Sequence, residues 1–156
     1  MQSFKERARF GYIPAVILGV LMILGGCAAT INYSYDPRAD FSPLKSYTWA
    51  PGLTANYPDV LIEKNVRYEA DQSLSKKGFT HVSDRPDMVI SMNYEYEIGT
   101  YPPSYQLKML SLYVRRAQNQ ELIWQGTASG TIKAGAPSGD LAVTVKKILE
   151  NFPPKR

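Results

Sequence analysis

The sequence predicts an α+β fold, a two-layer sandwich in which two amphipathic helices pack on one face of a mainly antiparallel sheet of about five to six strands. Three observations predict it. The segment from Asp87 to Ile98 alternates apolar and polar residues, as a strand with one buried face does. Two other segments carry apolar residues at helical spacing. Turns rich in glycine, proline, serine and asparagine separate these segments.

The chain begins with a segment, residues 1–26, that we expect to be a cleaved lipoprotein signal peptide. Lys5, Arg7 and Arg9 precede an uncharged run from Tyr12 to Gly26, and small residues end the run. The run contains Pro14 and is shorter than the roughly 20 apolar residues that a membrane-spanning helix needs. Cleavage is therefore the better expectation.

The signal ends in Leu24, Gly25, Gly26 and Cys27, a stretch that resembles the bacterial lipobox. The resemblance implies a diacylglycerol thioether on Cys27, cleavage before it, and acylation of the new amine. Two or more acyl chains make stable anchoring, since each buried methylene contributes about 0.8 kcal/mol. The alternatives for Cys27 are a buried core cysteine, an unpaired thiol, and the end of an uncleaved membrane helix. Ala28 follows where many inner-membrane lipoproteins have Asp, which favours the outer membrane.

The remaining chain, residues 27–156, has the length of one domain. The signal holds three of the 18 basic residues and one of the 14 acidic ones, so the mature chain carries a net charge of only about +2. No basic stripe interleaved with aromatic residues is present, and this argues against a nucleic-acid partner. The sequence implies no cofactor, no metal and no disulfide, since Cys27 is the only cysteine.

The first half of the mature chain predicts two strands, a helix and a third strand. Residues 31–35 alternate and stop at Asp36-Pro37, and residues 46–51 place Tyr47 and Trp49 on one face. A helix is predicted from Pro58 to Lys77, ended by Gly78, with Glu63 and Arg67 as an i, i+4 ion pair. Residues 79–82 predict a short strand. The apolar stripe of the helix consists of Ile62, Val66, Ala70 and Leu74.

The second half predicts an antiparallel meander and a closing helix. The meander strands are residues 87–98, 105–115 and 121–133, and Gly126 and Gly130 indicate a bulge or a close packing partner in the third. On that strand the predicted buried side carries Leu122, Trp124, Ala128 and Ile132. Asp140 is the predicted N-cap of the last helix. Its buried stripe is predicted to be Leu141, Val145, Ile148, Leu149 and Phe152.

Residues with catalytic potential are few. His81 is the only histidine, so no His-rich metal site or Ser-His-Asp triad can be assembled around a second choice. Glu95 and Glu97 project from one strand face about 7 Å apart, within the separation used by inverting glycosidases. A solvated strand face is the plainer interpretation of these two glutamates. No Gly-rich phosphate loop, nucleophile elbow or Cys-His metal spacing is present.

A loop with two tyrosines and two prolines is the best binding candidate. Tyrosine supplies rigid, amphipathic contact area at modest entropic cost. The alternative is that these rings cover the end of a hairpin. Trp49, Trp124, Tyr94 and Tyr96 are expected in the core instead. The candidate binding loop consists of Tyr101, Pro102, Pro103 and Tyr105, with Ser104 between them.

Several short stretches, in this order, resemble the domain-of-unknown-function 4136 family of bacterial lipoproteins over roughly residues 27–154. The resemblance implies an exported, mostly lipid-anchored α+β domain, and it carries over no catalytic residues. The stretches that carry it are Tyr35-Asp36-Pro37, Asp40-Phe41, residues 47–51, Lys77-Gly78-Phe79, residues 86–91, residues 123–128 and Phe152-Pro153-Pro154.

The sequence therefore predicts an outer-membrane-anchored periplasmic lipoprotein that acts as a non-enzymatic binding or scaffold module of the cell envelope. Its expected partners are the membrane, through the lipid on Cys27, and an envelope protein or the cell wall. One alternative is a carrier of a small apolar or glycan ligand held between helices and sheet. A remote alternative is a hydrolase that uses Glu95 and Glu97.

Overall fold

A computed structural model describes residues 29–52, 57–98, 105–135 and 139–155. These residues form six strands and two helices, which confirms the predicted α+β class. The bounds of the predicted elements are reproduced to within two residues. The elements, in chain order, are β1 Thr30–Tyr35, β2 Ser46–Trp49, α1 Tyr57–Lys76, β3 Thr80–His81, β4 Met88–Ile98, β5 Tyr105–Arg116, β6 Leu122–Lys133 and α2 Asp140–Glu150.

The strands form one mixed sheet in the order β1-β6-β5-β4-β2-β3. The pairs β1/β6, β6/β5 and β5/β4 are antiparallel, so the predicted meander is confirmed. β2 is parallel to both of its neighbours, β4 and β3. Parallel strands require a crossover connection, and α1 supplies it between β2 and β3.

The core lies between the helices and one face of the sheet. Val66, Ala70 and Leu74 of α1 are fully buried, and Ile62 is nearly so, which confirms the predicted stripe. The predicted stripe of α2 is likewise buried from Leu141 through Phe152. The sheet contributes Ile90, Leu112, Trp124 and other side chains of β4, β5 and β6. Trp124 and Phe152 meet edge to face with ring centroids 5.2 Å apart.

Two details of the prediction are wrong. Leu122 is exposed and Ile123 is buried, because the β5/β6 register shifts between Val114 and Arg115 and changes the face on which the first residues of β6 lie. The N-cap of α2 is Gly139 at φ 65°, with no side-chain cap bond. Asp140 instead lies in the first turn, where its negative charge interacts favourably with the helix dipole.

The two glycines of β6 realise both of the predicted alternatives. A side chain on Gly126 would meet the fully buried Trp124 and Ile148, so this strand packs closely against α2. Gly130 has φ +134° and lies next to a second register shift of the β5/β6 pair. Among the described residues, no helix is both long and apolar enough to cross a membrane.

Candidate functional site

The sequence-predicted site residues fall mostly outside the part of the chain that the structure describes. Cys27 and the preceding Leu24, Gly25 and Gly26 lie before Ala29, where the described chain begins. Tyr101, Pro102 and Pro103 of the candidate binding loop lie in the gap 99–104. Tyr105 begins β5, and its backbone is in register with Ile98, the last residue of β4. The lipidation site and the binding loop therefore stay predictions.

The first strand of the described chain, β1, lies at the edge of the sheet. It pairs with β6 along its whole length, from Thr30 opposite Ser129 to Tyr35 opposite Trp124, and with no other described strand. The N–H of Asp36 donates to the carbonyl of Ile123 at 3.1 Å. Because N–H directions alternate along a strand, Ile31, Tyr33 and Tyr35 direct their backbone groups away from the sheet.

The side chains of β1 leave this edge unprotected. Tyr33 and Tyr35 are 49% and 43% exposed, and their register partners Gly126 and Trp124 place them on the helix side of the sheet. The strand TINYSY contains no charged residue and no proline. Edge strands of natural proteins are usually blunted by such residues, by a bulge or by shortness. The opposite edge follows that rule, since β3 is only two residues long.

A polar cluster lies where β2 meets α1. Asp71 accepts hydrogen bonds from the hydroxyl of Tyr47 at 2.7 Å and from the indole Nε1 of Trp49 at 2.9 Å. Burial raises the pKa of the Tyr47 hydroxyl, and the bond to Asp71 raises it further. The ring of His81 packs on Tyr47 at 5.4 Å. These contacts satisfy two aromatic donors and fix α1 on β2, which is a structural role.

A cleft adjoins this cluster and tests the alternative of a ligand carrier. Arg67 donates to the carbonyl of Ala50 at 3.0 Å, lies 3.6 Å from the Glu63 carboxylate and sits over the Trp49 ring at 5.4 Å. The cleft has a volume of about 60 Å³. Binding pockets for small molecules span roughly 300–1,000 Å³. The part of the cleft lined by described residues is therefore far smaller than a pocket for a lipid or a sugar.

The two glutamates of the remote hydrolase alternative lie on the solvent side of β4. Both are exposed, and Glu97 forms an ion pair with Lys108 of β5 at 2.8 Å. The β4/β5 register shifts between Glu95 and Tyr96, where Lys108 of β5 is left without a register partner in β4. In the described ranges, no three His, Cys, Asp or Glu side chains come together in a group that could hold a metal ion.

Two features of the structure could not be found by sequence reasoning, the hydrogen bonds of Asp87 and the edge position of β1. Asp87 accepts hydrogen bonds from the backbone N–H groups of Lys45 and Ser46 and from the Ser46 hydroxyl, all within 2.9 Å. These bonds depress the pKa of the Asp87 carboxyl and join the starts of β2 and β4. The second missed feature is the edge position of β1. The absence of charge in residues 30–35 was its one available signal.

These features define the class of the protein as a small α+β domain built on an open sheet with one layer of helices. The family model for DUF4136, a domain of unknown function, matches residues 31–154. The chain belongs to the DUF4136 family, as its sequence resemblance indicated. A comparison with curated proteins finds no match.

Solved structures with this fold share little sequence with the chain. A DUF4136 family protein from Bacteroides thetaiotaomicron has a TM-score of 0.56 at 10% identity, over 81% of this chain and 95% of that one. The PelC dodecamer from Paraburkholderia phytofirmans has a TM-score of 0.59 at 13% identity, over 82% of this chain and 99% of that one. A PDZ domain protein from Parabacteroides distasonis has a TM-score of 0.62 at 13% identity over 82% of this chain. The chain spans only 36% of the length of that protein. At these identities the likeness establishes the fold alone.

Proposed function

We propose that the protein is an outer-membrane lipoprotein, anchored through Cys27 on the periplasmic face, that serves as a non-enzymatic scaffold by adding a strand of a partner protein to β1. The observation that carries the proposal is the uncharged edge of β1, which pairs with β6 alone among the described strands and begins three residues after the predicted lipidation site. The family matched by the chain has no assigned activity, so the proposal is argued from this surface.

Strand addition suits β1 because the backbone groups on its outer side form no ladder with another described strand. An extended peptide that adds to a sheet edge gains main-chain hydrogen bonds, and alternate side chains supply specificity. On β1 those alternate side chains are Ile31, Tyr33 and Tyr35, and none offers a charge for an ion pair. Aromatic and β-branched cross-strand pairs are the favourable ones on such a surface. The occupant we propose is an extended, uncharged segment of an envelope protein, rich in aromatic or β-branched residues.

The length and position of β1 also fit a scaffold. The strand presents six residues, the common length of a strand in globular proteins. It follows the predicted anchor directly, so a partner bound there would be held close to the membrane. The candidate binding loop of Tyr101, Pro102, Pro103 and Tyr105 remains a second predicted contact for the same partner. The carrier alternative draws no support from the cleft beside Trp49 because of its small volume.

The proposal is tested by photo-crosslinking in living cells. A photoreactive phenylalanine analogue replaces Tyr35, and the same analogue at Tyr68, an exposed residue of α1, is the control. We expect a discrete adduct with one envelope protein from position 35 and none from position 68. Tyr33→Lys should abolish the adduct by placing a charge on the edge, while Tyr68→Lys should leave it intact.

Two results would contradict the proposal. An adduct that survives Tyr33→Lys would show that the partner does not bind along the edge of β1. An adduct that contains only a second copy of this chain would show that the edge of β1 serves self-assembly and not a partner protein. The PelC structure is such an assembly, a dodecamer. Mass spectrometry of the crosslinked peptide distinguishes these cases.

A further inference from the structure

Four chain segments meet at one end of the sheet. β4 ends there at Ile98, and β5 begins beside it at Tyr105. β6 ends there at Lys133, which is in register with Gln106. β1 begins at the same end, with Thr30 opposite Ser129. We call Glu97, Ile98 and the facing Tyr105–Lys108 of β5 the hairpin end.

The start of the described chain lies close to this hairpin end. The Cα of Ala29 is 3.3 Å from the position that a Cβ on Gly130 would occupy, so Ala29 sits beside β6. Two peptide units separate Ala29 from Cys27, and they span at most about 7 Å. From Gly130, β6 continues for three more residues, about 10 Å, toward the same end. The hairpin end therefore extends at least as far from the domain as Cys27 can reach along the strand direction.

The two ends of the sheet differ in polarity. The hairpin end exposes Ile98, which is 57% accessible, and the nearby Glu97 is neutralised by Lys108 at 2.8 Å. The opposite end carries two ion pairs, Arg38 with Asp36 after β1 and Arg85 with Asp84 before β4, and both arginine side chains are about nine-tenths accessible. An exposed apolar residue beside a half-accessible ion pair suits contact with lipid better than ion pairs whose arginines are almost fully solvated.

We infer that the hairpin end rests on the bilayer surface, with Ile98 at the lipid interface and β1 running away from the membrane into the periplasm. The inference rests on the proposed lipid anchor at Cys27, since the short reach from Ala29 is what brings this end to the membrane. It gives the anchored domain a defined orientation. In that orientation the edge of β1 stays accessible to a partner along its length.

The orientation is measurable because Cys27 is the only cysteine and lipidation consumes its thiol. A single cysteine is introduced by Ile98→Cys, by Leu122→Cys at the opposite end, or by Tyr35→Cys at the far end of β1. Each lipidated protein is labelled with a nitroxide and reconstituted into vesicles of phosphatidylethanolamine and phosphatidylglycerol. Spin relaxation by oxygen, which concentrates in lipid, is compared with relaxation by a water-soluble nickel chelate.

We expect the label at position 98 to lose its relaxation by nickel and gain relaxation by oxygen when vesicles are added, with no change at positions 122 and 35. Equal nickel relaxation at 98 and 122 would overturn the inference. Protection at 35 without protection at 98 would also overturn it, because the domain would then lie on its β1 edge. Flotation of the vesicles reads the anchor separately. If the protein does not float with the vesicles, the proposed lipid anchor is wrong. If it floats but the label at position 98 stays exposed to water, only the proposed orientation is wrong.

Discussion

Gly126 provides a quantitative test of how closely α2 packs on the sheet. A Cβ at this position would lie 2.7 Å from Cγ2 of Ile148 and 2.9 Å from Cζ2 of Trp124, and closer still to Cη2 of the same indole. Both neighbours are buried, with Ile148 at 0% and Trp124 at 1% exposure. Neither can move without displacing other core side chains. Gly126→Ala therefore overpacks the core in two directions at once.

The expected loss follows from the size of that clash. Overpacking a well-packed core costs about 1–3 kcal/mol, and three atoms within 3 Å place this site toward the upper part of the range. The smaller conformational entropy of alanine in the unfolded chain offsets roughly 0.4–1 kcal/mol. We expect a net loss of about 2 kcal/mol, which lowers the unfolding temperature of a domain of this size by about 6–10 °C.

The measurement is thermal unfolding of the detergent-solubilised mature protein, followed by circular dichroism. Gly135→Ala is the matched control, because a Cβ there meets no heavy atom within 4 Å and its φ is not in the left-handed region. The control should unfold at the parent temperature or slightly above. Equal unfolding temperatures for the two variants would refute the close packing of β6 against α2.

Two further predictions concern partly buried carboxylates that accept several hydrogen bonds. Asp71→Ala should lower the free energy of unfolding by about 2–3 kcal/mol in urea titrations, because two aromatic donors lose a charged acceptor. Asp84 is exposed, so the control Asp84→Ala should change that free energy by less than about 0.5 kcal/mol. The depressed pKa of Asp87 stabilises the fold at pH values above the unfolded pKa of about 3.9, and that stabilisation is lost as the pH falls through the lower folded pKa. Parent protein should therefore lose stability more steeply than Asp87→Asn below about pH 4; parallel urea midpoints across that range would contradict the assignment.

The sequence predicted those parts of the fold that depend on local periodicity. The alternation in β4 and the stripes of α1 and α2 each bury one face of one element, so their pattern is visible in the chain without its partners. The turn residues at Asp36-Pro37 and Gly78 also act locally and ended their elements as expected.

Features that depend on contacts between distant segments could not be predicted this way. The parallel placement of β2 between β4 and β3 follows from the crossover through α1, which no pattern within β2 encodes. The exchange of Leu122 for Ile123 in the core requires knowledge of the bulge opposite Val114. The position of Asp71 between two donors joins residues 22 and 24 apart in the chain.

The two parts of the candidate site, the lipidation sequence and the edge of β1, also differ in whether a local sequence pattern can predict them. The resemblance to a lipobox lies in one contiguous stretch, so lipidation of Cys27 is predicted from residues 24–27 alone and stays a prediction. The edge position of β1 could not be predicted from a contiguous stretch, because β1 becomes an edge only through the order of the whole sheet. An uncharged strand is equally compatible with a buried central position until its neighbours are known.

The intact mass of the mature protein, purified from membranes, tests the lipid anchor most directly. We expect a chain that begins at Cys27 and carries three acyl chains, with residues 1–26 removed. Cys27→Ser should abolish both the acylation and the cleavage. A membrane-bound protein of unmodified mass, or one that retains Met1 to Gly26, would contradict the anchor and, with it, the orientation of the domain on the bilayer.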